Sequence, residues 1–471
     1  MSKLIPWIFL IALFLVFLLP PTDPDLGWHL RCGELFWNEH SFCEDNQFSV
    51  LLENYSWPNH AWGYQAVIYP IYKAFGGEGL TVLNALLMTA AFGFLFAAIR
   101  NHTFEKMLGI LATIYFGWGV FSFGIRSQLV GFFFFNFTLY LLTKMREKPR
   151  LGILLPLVML LWANTHGSVI LGLVLIFLFF LSHLYATAVK RERILPLTAV
   201  ATISGLVTLI NPFGFRIYEE MWRHFFGPID LSKLIAEWVP PQPQIQQIII
   251  VTGVAGLVYL LYLAFVAAGP QPALNYSLFL IPIFTFWALK ARRNVPFFFV
   301  ILTYSFLNSL KTKISPLRNQ LAALLAVGVL LYGLIVQLPK AIEQDPCRGN
   351  PCAAIEFLKN QEKSLPADRQ GNIFNRYEWG GFLIWHLPEY KIFVDGRMPA
   401  WPTASGRSPY TIYLETLQTR PGWQETLDQY AIDYILISPN TFMDLKLKPN
   451  PASFGWQEVF RDRISVIYKK L

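Results

Sequence analysis

Two aspartates, Asp23 and Asp25, stand one residue apart in "PPTDPDLGWHL", directly after an apolar run. Carboxylates placed this way can do two kinds of chemistry. One can take a proton from an attacking hydroxyl, or the pair can share a divalent cation. A structural reading also stands, because Asp ahead of a helix accepts backbone N–H bonds as an N-cap. His29, His60 and Trp62 follow in the same region, and "WANTHGSV" adds Asn164 and His166. These are polar and aromatic groups suited to lining a site. His29, His60 and His166 could join the aspartates as metal ligands, but their separations match no local zinc motif. A solvated or hydrogen-bonded histidine is the simpler reading of each.

The elements that must position these groups belong to an oily chain. Of 471 residues, 54% are hydrophobic and 14% charged, too few polar groups to cover a soluble protein. Apolar stretches at about 4 to 20, 79 to 99, 107 to 124, 127 to 143, 151 to 164, 167 to 189, 194 to 211, 246 to 267, 274 to 290, 294 to 310 and 319 to 338 predict eleven spans. The expected fold is an α-helical multi-pass membrane domain over 1–338, with a long outer loop at 21–78. A small outer α/β domain follows over 339–471. The first stretch shows no small-residue cleavage site, so it reads as a retained anchor.

With Lys3 inside, the clusters Arg100/Lys106, Lys144/Arg146/Lys148/Arg150, Lys190/Arg191/Arg193 and Lys311/Lys313/Arg318 all fall on the cytoplasmic side. The N-terminus is then cytoplasmic. The C-terminal domain shares the outer face with Asp23 and Asp25. The formal charge of +8 is spread over these loops, which argues against nucleic acid as a partner. Arg126 in "SFGIRSQ" and Lys290, Arg292 and Arg293 in "LKARRNVP" face outward, against the positive-inside tendency. Cations there suit a lipid-linked phosphate, or they snorkel to ordinary membrane-lipid headgroups.

In the outer loop, Leu26, Leu30, Leu35 and Phe36 predict a short amphipathic helix lying on the membrane, and Trp62 to Phe75 a second. A later outer loop, 211–238, gathers Arg216, Glu219, Glu220, Arg223, His224 and Glu237. Cys32, Cys43, Cys347 and Cys352 all fall outside on this topology. They pair most simply as Cys32–Cys43 and Cys347–Cys352, or remain free thiols. Beyond residue 350, "NIFN", "KIFVDG", "DYILIS", "WQEVFRD" and "ISVIYKK" read as strands between helical stretches. Asp395 and Arg397 in "VDGR" form either a plain turn or a cap over the site that binds donor or acceptor.

The acidic outer loop followed by "HAWGYQAVIYPIYKAFG" resembles the GT-C class of polyprenyl-phosphate-dependent membrane glycosyltransferases, in particular the protein mannosyltransferase and aminoarabinose transferase relatives. The likeness is specific over about residues 1 to 100. "DPDLGWHLRCGELF", "WANTHGSVILG", "LINPFG", "RRNVPFF" and "VDGR" together resemble an uncharacterised group of bacterial multi-pass proteins near that class. The resemblance implies a bacterial inner-membrane enzyme. It would move a sugar, with inversion, from a polyprenyl-phosphate donor to an envelope glycan, lipid or protein acceptor. Asp23 or Asp25 would be base or metal ligand, with a divalent metal as an optional cofactor. Arg126, Arg292 and Arg293 are the candidates for the donor phosphate, and His29, His60, Trp62, Asn164, His166, Asp395 and Arg397 for lining the site. The sequence departs from the class in having Pro24 between its acids. A non-catalytic protein that binds or assembles envelope polysaccharide is the alternative. A transporter fits less well, because the spans carry few charges.

Overall fold

The computed structural model describes residues 3–190, 195–267, 272–310, 315–362 and 371–471. Arg191, Arg193, Lys311 and Lys313, used above to read topology, lie outside them. The chain opens with helices α1 (Ile5–Val16), α2 (Leu26–Glu39), α3 (Trp62–Ala98), α4 (Thr103–Phe121), α5 (Ser127–Met145), α6 (Leu154–Ala163), α7 (Val169–Lys190) and α8 (Leu195–Leu206). It continues through α9 (Arg216–Phe226), α10 (Pro243–Val266), α11 (Pro272–Lys290), α12 (Val295–Ser309), α13 (Pro316–Tyr332), a π-turn and α14 (Leu338–Ile342). After α15 (Cys352–Glu362) come β1 (Asn372–Asn375), α16 (Gly380–His386), β2 (Lys391–Ile392), α17 (Pro409–Leu417), α18 (Trp423–Gln429), β3 (Tyr434–Ile437), α19 (Phe442–Leu447), β4 (Trp456–Arg461) and β5 (Val466–Lys470).

These elements form two compact units. One holds Met1–Pro21, Ile71–Phe215 and Ile235–Gln344; the other holds Thr22–Pro70, Arg216–Leu234 and Asp345–Leu471. The second unit therefore takes up most of the loop predicted over 21–78 and part of that over 211–238.

In the first unit a helix occupies each of the eleven predicted apolar stretches. Only an internally hydrogen-bonded backbone is tolerated in such surroundings. Among the described residues, four helices are long and apolar enough to cross a membrane: Trp62–Ala98, Pro243–Val266, Ala273–Lys290 and Pro316–Ile342. Eleven spans are not reached on this measure. α1, for example, has 12 residues, which cover about 18 Å of a hydrocarbon core of about 30 Å. α1 packs on α13, α4 on α12, and α11 against both α10 and α12. Phe17, Phe92, Phe121 and Phe132 stack in their midst, with ring centroids 5.0 to 6.0 Å apart. Asn84 Nδ2 donates to the Phe17 carbonyl at 2.9 Å, satisfying an acceptor that would otherwise be costly to bury.

The second unit is an α/β layer. Its five-stranded sheet has the order β2-β1-β3-β5-β4. β2, β1 and β3 run parallel, whereas β5 is antiparallel to both β3 and β4. All four residues of β3, "YILI", are buried, the pattern of a strand covered on both faces. The predicted strands and intervening helices are all present. The sheet also takes a piece of the distant outer loop. Val50 N–H donates to the Ile392 carbonyl at 2.9 Å, and Ile392 N–H to Phe48 at 3.0 Å, so residues 48–50 lie along β2.

α2 packs on α16 through glycine. A Cβ on Gly27 would come within 2.0 Å of the Gly381 carbonyl oxygen. Of the α2 residues expected to lie on a membrane, Leu35 is instead in the core of this unit, where it joins Trp28, Cys32, Ile373, Trp379 and Ile384. The second predicted amphipathic segment is the first part of α3, which continues past a kink at Gly76 to Ala98. Disulfides join Cys32 to Cys43 and Cys347 to Cys352.

Candidate active site

Asp25 holds the N-cap position of α2, yet its side chain makes no cap hydrogen bond. Helix capping therefore does not account for it. Asp23 is 8% exposed, and its Oδ1 takes the Asp25 N–H at a long 3.5 Å. Glycine backbone comes close to the acidic turn. A Cβ on Gly396 would lie 1.8 Å from Asp25 Oδ1, and one on Gly381 would lie 2.3 Å from the Pro24 carbonyl oxygen. Any side chain at either position collides with the acidic turn.

The turn that carries Gly396 is held from inside. The side chains of Asp395 and Arg397 are both fully buried. Arg397 Nε donates to Asp395 Oδ1 and Nη2 to Oδ2, each at 2.7 Å. Ser49 Oγ donates to the same carboxylate at 2.8 Å, and Arg397 Nη2 reaches Asn46 Oδ1 at 3.0 Å. The guanidinium lies over Phe48 and Trp401. Burial alone would push the Asp395 carboxyl up; Arg397 and Ser49 outweigh it and hold it below the usual carboxylate value. The pair thus forms an internal brace, and neither side chain is open to a ligand.

Asn375, at the end of β1, sets the approach to this turn. Its Oδ1 accepts from the N–H groups of Phe393 and Val394, and its Nδ2 donates to the Val394 carbonyl. Next to it, burial and the negative charges of Asp25 and Asp395 hold the Tyr377 hydroxyl well above the ordinary tyrosine range.

His29 is buried on α2. Its Nδ1 lies 3.1 Å from Gln65 Nε2, and Gln65 is itself paired amide to amide with Asn59. Trp62 packs on Phe36 and Phe42, and His60 precedes it in the turn that starts α3.

In the first unit, three arginines converge on one short segment. Arg126 Nη1 donates to Glu237 Oε1 at 2.5 Å. Arg292 gives its backbone N–H to the Val239 carbonyl at 3.0 Å and its Nε to Ala236. Arg293 lies over the Trp238 ring, 4.9 Å from the centroid. Burial would raise the Glu237 carboxyl, but Arg126, Arg293 and Arg292 together keep it below its usual value. Three cations face one carboxylate, which leaves the cluster a surplus of positive charge. His166 is tied locally: Ser168 N–H donates to its Nδ1 at 3.1 Å. Asn164 Nδ2 donates to the Leu160 and Ile210 carbonyls.

Among the described residues, no group of three His, Cys, Asp or Glu is placed to hold a metal ion. Asn46, Ser49 and Gly396 were not singled out by sequence reasoning. The "VDGR" phrase was the signal that pointed toward them.

Over nearly its whole length the chain has the GT-C fold of membrane glycosyltransferases. Oligosaccharyltransferase AglB from Archaeoglobus fulgidus, solved with an inhibitory peptide and a dolichol-phosphate, matches at TM-score 0.64 and 10% identity, covering 92% of this chain and 69% of that one. ArnT from Cupriavidus metallidurans in the apo state matches at TM-score 0.56 and 14% identity, covering 100% of this chain and 97% of that one. An oligosaccharyltransferase from Archaeoglobus fulgidus in its apo form matches at TM-score 0.61 and 11% identity, covering 92% of this chain and 69% of that one. No protein-family model and no curated protein matches the sequence.

Proposed function

We propose that the chain is a membrane glycosyltransferase moving a sugar from a polyprenyl-phosphate donor to an envelope glycan, lipid or protein acceptor. The observation that carries this reading is the fold likeness to AglB over 92% of this chain and to ArnT over all of it. The acidic turn after α1 and the arginine cluster supply the chemistry such a transfer needs.

In the proposed step, Asp25 or Asp23 takes the proton from the acceptor hydroxyl as its oxygen bonds to the anomeric carbon. The bond from that carbon to the phosphate oxygen breaks on the opposite face, so configuration inverts. The electron pair leaves with the lipid phosphate. A sugar-bearing phosphodiester has one negative charge, and the departing monoester gains a second. Arg126, Arg292 and Arg293, whose charge exceeds that of Glu237, suit the more highly charged species, and this favours the transition state over bound donor. His29, His60, Trp62, Asn164 and His166 remain candidates for lining the acceptor path. Asp395 and Arg397 act through the brace described above. The topology proposed with this reading has eleven spans in a bacterial inner membrane, with the N-terminus cytoplasmic and the acids and C-terminal unit outside.

The test is to replace Asp23 and Asp25 by Asn, singly and together, and to assay transfer in membranes given labelled polyprenyl-phosphate sugars. Loss of the general base should slow transfer by roughly 100-fold or more. Wild-type rates in all three variants would sink the assignment. A non-catalytic polysaccharide binder is the second reading, favoured by the close packing of Asp25 on Gly396. It predicts retained glycan binding and no transfer even in the wild-type chain.

A further inference from the structure

Asp25 stands at the N-cap position of α2 with no side-chain bond to the helix end, and an aspartate side chain has several staggered rotamers open to it unless packing selects one. Two segments of the second unit, residues 380–381 and 395–397, close on the acidic turn and on each other. Gly396 lies against the carboxylate, Gly381 against Pro24 and Asp25, and Gly380 against Val394 and Asp395, where a Cβ would come within 2.8 Å of the Asp395 Cα. Gly396 has no left-handed backbone angle among the positive-φ glycines, so alanine would fit its backbone. Only the Asp25 side chain forbids it. Behind Gly396, the buried Asp395–Arg397 pair and its bonds to Ser49 and Asn46 fix the turn to the outer loop.

We propose that the Asp395–Gly396–Arg397 turn is a positioning element for Asp25, bringing the C-terminal sheet against the acidic loop so that the carboxylate is held in one orientation. The role assigned to Asp25 rests on the function proposed above; the contact itself does not. A base must keep its oxygen within a fraction of an ångström of the proton it removes, and a misplacement of about 1 Å can cost roughly 100-fold in rate. Backbone packed against one side of the carboxylate narrows the orientations open to it.

The experiment is Gly396→Ala in the full-length chain, alone and combined with Asp25→Ser, which removes the carboxylate that the new methyl would strike. Melting temperature and turnover of a labelled polyprenyl-phosphate sugar are both read. Gly396→Ala should lower kcat by roughly 10- to 100-fold with KM changed less than about threefold, and should lower Tm. In the Asp25→Ser background the same substitution should cost much less Tm. Should Gly396→Ala fail to fold, Ser49→Ala loosens the brace more gently and should lower kcat several-fold, again at constant KM. An equal Tm loss in both backgrounds, or an unchanged kcat in Gly396→Ala, overturns the positioning role. Full activity of Asp25→Asn alongside a relieved Tm cost overturns the base assignment instead, so the two failures read differently.

Discussion

Asp395→Asn offers the sharpest test of how the second unit is held together. The substitution keeps size and shape but removes the charge facing Arg397, whose side chain is fully buried. Arg397 would keep its bonds to Asn46 and Ser49, yet a buried guanidinium would be left with no counterion in contact. Breaking a buried pair from one side costs about 3–5 kcal/mol. Removing only the Ser49 hydroxyl, which donates to the same carboxylate, should cost about 1 kcal/mol. Replacing both charges together, as Asp395→Leu with Arg397→Met, should cost less than the sum of the single changes, because no orphan charge remains.

The carboxyl of Asp395 is held below its usual value. Its contribution is therefore complete above the unfolded carboxylate value near 3.9 and is lost as pH falls through the lower folded value. Wild type should lose this stability below about pH 4, whereas Asp395→Asn should show no such loss. The assay is hydrogen exchange at the amides of β1 and β3 in the full chain, read against denaturant at pH 7 and pH 3. A cost below about 1 kcal/mol for Asp395→Asn, or additivity in the double replacement, would refute the buried-charge reasoning.

Other predictions concern the rest of the molecule. Glu237→Gln removes a carboxylate bonded to Arg126; it should tighten binding of free polyprenyl monophosphate several-fold and steepen its salt dependence, measured by titration at two ionic strengths. Replacing Cys32 and Cys43 by Ser opens a crosslink with a sequence separation of 11 and should cost about 3 kcal/mol; the Cys347–Cys352 crosslink, with a separation of 5, should cost about 2 kcal/mol. Both are read by denaturation under non-reducing conditions. Burial, with Lys359 nearby, lowers His386 to about 4. Its neutral form stabilises the fold fully above the unfolded value of about 6.5, and that stability is lost as pH falls toward 4. His386→Phe should flatten the wild-type fall in Tm across this window.

The sequence alone determined every element whose cause is local. Each predicted apolar stretch is a helix, because a window of such residues satisfies its own backbone wherever it is buried. The short β-branched runs from "NIFN" to "ISVIYKK" are strands for the same kind of reason. Residue type also drew attention to Asp25, Arg126, Arg292 and "VDGR". The contacts that give those residues meaning were not legible, because they join positions hundreds of residues apart and leave no periodic trace. Only the tertiary structure decided that residues 48–50 lie along β2, that α2 spends its apolar face on a protein core, and that Asp395 and Arg397 brace a turn without facing a ligand. Gly396 shows the division most plainly. In the sequence it is a glycine in a turn, and in the fold a methyl group there would strike the carboxylate of Asp25.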